Sequence, residues 1–141
     1  MNADVKQPYV ARLIVFYLLE QSEVTEVVGQ AIYTDLPHDE TFPAVRITQL
    51  GGGTDGLGFL GQTVIQVDTW GPGISDRLAA HDLCETVGQA LRRMHDRVEA
   101  GGAAAVVTDV RVGTARDDID KTYTPARPTS RLTATFWATP A

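Results

Sequence analysis

Hydrophobic residues follow a helical spacing twice along this chain and alternate with polar residues in most of what lies between and after. The first helical stretch begins near Pro8, a residue tolerated in a first helical turn. Its apolar stripe is Val10, Leu13, Ile14, Tyr17 and Leu18, and Val15 and Phe16 widen it enough to predict burial on more than one side. Ser22 is a candidate cap for a short second helix through Val28, and Gly29, able to take a positive φ, is its stop. The long helix is expected from Ser75, its N-cap, to about Ala100, with the stripe Leu78, Leu83, Val87, Ala90, Leu91, Met94 and Val98. Arg92, Arg93, His95, Asp96 and Arg97 would solvate its far side, with Gly101 and Gly102 ending it.

The alternating segments read as strands. Residues 31–34 form a short one, and Leu36-Pro37 turns the chain. Over residues 42–50, Val45 and Ile47 point one way and Arg46 and Thr48 the other. Residues 51–58, rich in glycine, read as a flexible loop before a strand over residues 60–70. That strand carries Ile65 and Val67 on one face and Gln62, Gln66, Asp68 and Trp70 on the opposite one. Gly71-Pro72-Gly73 ends it. Residues 103–113 form the next strand, with Val106, Val110 and Val112 opposing Asp109 and Arg111. Residues 116–128 read as a polar loop. In the last strand, residues 129–139, Leu132, Ala134 and Phe136 oppose Arg131, Thr133, Thr135 and Trp137.

The predicted order, α-(α)-β-β-β-α-β-β, specifies an α+β domain over residues 1–141. Its single, mainly antiparallel sheet has an N-terminal helix and one long helix packed on one face. The Thr-, Gln- and Arg-rich strand faces imply a second sheet surface without helices, left to solvent or to another subunit.

Composition narrows the function classes. A chain of 141 residues with 43% apolar content can bury a substantial core. No apolar run is long enough to span a bilayer, and no signal peptide pattern is recognised. Cys84 is the sole cysteine, so an intrachain disulfide is impossible and a reducing compartment is expected. The net charge of −6 argues against a duplex-binding surface but suits a channel that DNA crosses without being held.

Candidate chemistry is sparse. The glycine run from Gly51 through Gly52, Gly53, Thr54, Asp55 and Gly56 to Gly58 lacks the Lys-Ser/Thr ending of a phosphate loop and leads into a strand, so it reads as a hairpin loop. Asp117, Asp118 and Asp120 offer hard oxygen ligands, without the glycine and bidentate glutamate of a calcium loop. His38, His81 and His95 have no metal-ligand spacing with one another or with Cys84. No nucleophile, base and electrophile assemble, so no catalysis, cofactor or metal is expected. A small hydrolase or ligand-binding domain using the glycine loop and the aspartates is the remote alternative. Trp70 and Trp137 fall on polar strand faces, where aromatics either pack at a sheet edge or meet a partner.

Taken in order, an apolar helix, FPAVRI, QVDTWG, the helix opening ISDRLAAHDLCETVGQAL and the final strand SRLTATFW resemble the tail terminator, or tail completion, proteins of long-tailed phages and related prophage elements. The resemblance covers roughly residues 8–137. It implies a structural virion protein forming a homo-hexameric ring on the head-proximal end of the tail tube. Such a ring ends tube polymerisation, offers a docking surface for head–tail joining and lets DNA through its centre. The implied partners are the tube protein, a head-completion or connector protein and, as a further candidate, the tape-measure protein, with assembly in the host cytoplasm. A head–tail connector or minor tail subunit is the near alternative. The residues expected to meet other subunits are Trp70, Trp137, Arg131, Gly52, Gly53, Asp55, Asp117, Asp118, Lys121 and Tyr123.

Overall fold

A computed structural model describes residues 10–34, 42–54, 61–100, 103–122 and 126–140. The two N-terminal helices form over the expected stripes, as α1 (Val10–Leu19) and α2 (Ser22–Val28), and the expected start near Pro8 lies outside the described residues. The cap of α2 is Gln21 rather than Ser22, which is itself helical, and Gly29 ends the helix at φ +61°. The strands β1 (Ile32–Tyr33), β2 (Ala44–Thr54), β3 (Gly61–Trp70), β4 (Asp96–Ala100), β5 (Ala103–Val112), β6 (Arg116–Asp120) and β7 (Arg127–Pro140) build one seven-stranded sheet. Its order is β1-β2-β3-β7-β5-β4, and β6 also pairs with β7. Among the described residues only β1 and β2 run parallel. The expected α+β class holds.

Alternation sorts the sheet into two faces as predicted for β2, β3 and β7. Ile47 pairs with Val67 and Val67 with Leu132, while Ile65 pairs with Ala134, and all of these are buried. The helix α3 (Arg77–Arg92) lies on this face through Leu83, Cys84, Val87, Gly88, Ala90 and Leu91. Gly88 lets it approach closely: an added Cβ there would stand 3.1 Å from the Leu132 side chain. Thr69 donates its hydroxyl to the Ala80 carbonyl at 2.7 Å, and Tyr17 of α1 donates to the Ala90 carbonyl at 2.9 Å. α1 also packs against both β2 and β4.

Several expectations are corrected. The long helix stops at Arg92, and Asp96–Ala100 form β4. Asp96 takes φ +60°, which ends any helical continuation, and Val98 and Ala100 are buried between exposed Arg97 and Glu99 as β4 pairs with the alanine-rich start of β5. The cap of α3 is Asp76, not Ser75; its carboxylate instead accepts the Gly73 amide at 2.6 Å. Leu78 lies outside the buried stripe at 72% exposed.

The glycine segment is not a loop at its start. Residues 51–54 continue β2, with Gly52 opposite Thr63 and Gly53 opposite Gln62, after a bulge at Leu50. In β5 the register slips between Val107 and Asp109, so Ala105 and Val107 point inward before it and Val110 and Val112 after it. Val106 therefore does not share a face with Val110. The polar segment expected as a loop holds β6, paired with β7 from Arg116 opposite Arg131 to Asp120 opposite Arg127. Because β3 pairs with β7 only from Ser130 onward, residues 127–129 and β6 form a two-stranded arm that extends past β3.

Candidate interaction surface

The face without helices carries Arg46, Thr48, Gln62, Gln66, Arg131, Thr133, Thr135 and Trp137 in cross-strand rows. One row joins three strands by charge. Asp68 on β3 sits between Arg46 on β2 and Arg131 on β7. Its carboxylate is fully buried, although the strand period puts it on the polar face opposite Ile65 and Val67. Arg131 Nε donates to Oδ1 at 2.6 Å, while Arg46 and Gln66 each donate to Oδ2 at 3.0 Å. A buried anion is tolerable only when paired and hydrogen-bonded in this way. The Asp68 hydrogen bond, foremost, raises the Arg131 pKa further above its ordinary value.

Trp70, expected at the surface, is 1% exposed. By alternation it shares a side with Arg46 and Asp68, but the Phe42 ring lies 6.2 Å away and the Arg46 guanidinium 5.3 Å away, and the indole joins the core. It presents no surface for a partner in this structure. Trp137 does stay on the outer face, half-buried beside the Arg111 guanidinium at 5.2 Å. Arg111 also faces Asp109 at 3.5 Å.

The arm brings together residues the sequence could not place. His81 on α3 reaches Asp117 through Nδ1 and Glu85 through Nε2, each at 3.0 Å. Ser130 donates to the same Asp117 oxygen at 3.1 Å. With an acceptor at both ring nitrogens, only the imidazolium donates to both. The Asp117 hydrogen bond, opposed by desolvation, raises the His81 pKa, and the same contact lowers that of Asp117. This is no Ser-His-Asp relay, because the hydroxyl bonds the carboxylate and the imidazole lies beyond it.

Asp118 Oδ1 accepts the Ile119 amide and its Oδ2 lies 3.7 Å from Arg131, while Asp120 accepts from Thr122. Among the described residues no group of three or more His, Cys, Asp or Glu side chains is placed to hold a metal ion. Lys121 is exposed at the end of the arm. Burial pushes the Cys84 thiol up to about 12, which keeps it protonated. His95 is exposed, 3.1 Å from Asp96. His38, Asp55 and Tyr123 lie outside the described residues.

A further feature escaped the sequence reading. A groove of about 490 Å³ lies between the start of α3 and the arm, lined by Ile74, Ser75, Arg77, Ile119, Ala126 and Pro128. Ile74 and Ile119 are 55% and 48% exposed. Ile119 was visible as the apolar member of an acidic segment, but its neighbours across space were not.

No family model matches the chain, and no curated protein matches it. Among solved structures, a chain from the virion of native gene transfer agent (GTA) particle superposes with a TM-score of 0.56 at 14% identity. The match covers 97% of this chain and 99% of that chain. The two chains share a fold. At this identity the likeness carries the order and packing of elements, not the roles of individual side chains.

Proposed function

We propose that this protein is a structural component of a phage-type virion, and within it the tail terminator. It would form a hexameric ring on the head-proximal end of the tail tube, end tube growth and receive the head-completion or connector protein. The observation that carries this reading is the fold likeness to a virion chain along nearly the whole length of both chains. The FPAVRI, QVDTWG and SRLTATFW segments add the resemblance to terminators. The outer sheet face with Trp137 and the arm with Asp117, Asp118 and Lys121 are the surfaces offered to other subunits. The protein acts by binding alone, and its net charge of −6 suits a ring through which DNA passes.

The test adds purified, labelled protein to polymerising tube subunits and follows tube length by electron microscopy. A terminator arrests growth and labels one end of each tube. Label at one end with unchanged growth indicates a connector or minor tail subunit, and no association with tubes or tails overturns the assignment.

A further inference from the structure

The groove along the outer part of the arm leaves two large aliphatic side chains, Ile74 and Ile119, half in water. Two exposed aliphatic side chains lining one concave site make it a candidate contact surface. Its charged wall is Arg77, which makes no ion pair among the described residues and acts on Asp117 only through its charge. The acids flanking Ile119 are already engaged, Asp118 with the Ile119 amide and Arg131, and Asp120 with Thr122.

The opposite end of α3 has complementary features. There Arg93 holds α2 through Glu23 and Gln21. From α2, Val27 projects at 50% exposed, beside an exposed Glu26 that makes no ion pair among the described residues. The groove pairs aliphatic side chains with a cation, and the α2 end pairs an apolar knob with an anion, neither charge in an ion pair among the described residues. The 16-residue helix between them sets the ends about 24 Å apart, so one copy cannot fill its own groove.

We infer that the groove receives the α2 end of a second copy of this chain, with Val27 seated between Ile74 and Ile119 and Glu26 facing Arg77. A contact between two different surfaces is head-to-tail, the kind that closes into a ring under rotation. The inference rests on the ring of the proposed function and names the surfaces that build it.

The test is cysteine cross-linking of the full chain assembled on tails. Val27→Cys and Ile119→Cys in one chain, oxidised gently, give a ladder of disulfide-linked oligomers on a non-reducing gel, and either single variant gives none. Cys84, buried and protonated, contributes no background. Both substituted sites are half-exposed, and circular dichroism confirms folding. Arg77→Glu weakens each contact about fivefold, and Glu26→Arg added to the same chain restores it. A ring seen by native mass spectrometry without the ladder, or without rescue by the second reversal, overturns this contact and leaves the ring reading standing. Monomers throughout, on tails as well as free, overturn both.

Discussion

Replacing Arg131 by methionine tests whether the Asp68 row holds three strands together. Methionine preserves the unbranched stem but removes the Nε donor that reaches Asp68 Oδ1 at 2.6 Å. Arg46 and Gln66 remain on Oδ2, so the carboxylate keeps one cation and loses the other. Breaking a buried ion pair costs about 3–5 kcal/mol, and a charge-assisted hydrogen bond contributes about 1.5–3. Asp68 is fully buried, but the Arg131 side chain is 33% exposed and lets water approach. The expected loss is therefore at the low end, about 3 kcal/mol. With a urea slope of about 2 kcal/mol/M, the unfolding midpoint falls by about 1.5 M. Asp68→Asn supplies the control: if the cost is an uncompensated charge, the double variant is more stable than additivity predicts by about 2 kcal/mol. A midpoint shift below about 0.5 M, or strict additivity, would show that the row contributes little to stability.

Trp70→Ala should lower monomer stability by about 3–5 kcal/mol in the same titration, as a core truncation does. Trp137→Ala should leave the fold nearly intact and show its effect in ring formation by native mass spectrometry; equal melting losses for the two would refute the distinction. His81 should titrate above its ordinary 6.5 by NMR. Its share of the arm's anchorage is complete below 6.5 and fades as pH rises through the raised value, while that of Asp117 is present above its ordinary 3.8 and fades as pH falls through the lowered one. His81→Gln should abolish the upper transition in arm chemical shifts, and a wild-type His81 titrating at or below 6.5 would refute the clasp. Duplex DNA should show no binding in an anisotropy titration near physiological salt, and micromolar affinity would contradict passive passage.

The faces of β2, β3 and β7 were legible because Ile47, Ile65, Val67, Leu132 and Phe136 recur at every second position among mostly polar neighbours. The end of α3 was not, because Met94 and Val98 satisfy a helical i, i+4 spacing while Val98 and Ala100 also satisfy the strand period. What decides is pairing with β5, a non-local fact. β6 was hidden for a related reason: its residues are almost all exposed, so its strand character comes from its hairpin partner. The bulge in β5 moved Val106 to the other face, a one-residue slip no periodicity reveals. At the candidate surface, Trp137 was readable as an outward polar-face position, and Asp117, Asp118 and Lys121 as exposed members of what read as a polar loop. The burial of Asp68 and Trp70 was not, since both depend on side chains brought across the sheet.

The length of β7 has a mechanical consequence. Its 14 residues run unbroken from the arm, past the Asp68 row, to the far end of the sheet. Nine consecutive partners on β3, Gly61 to Thr69, flank it on one side. Tension applied at the tip of the arm along the strand would therefore act on those hydrogen bonds in shear, all at once, rather than peeling them one by one. A chain built this way can take a pull on its arm and pass the force to its centre without opening from the end.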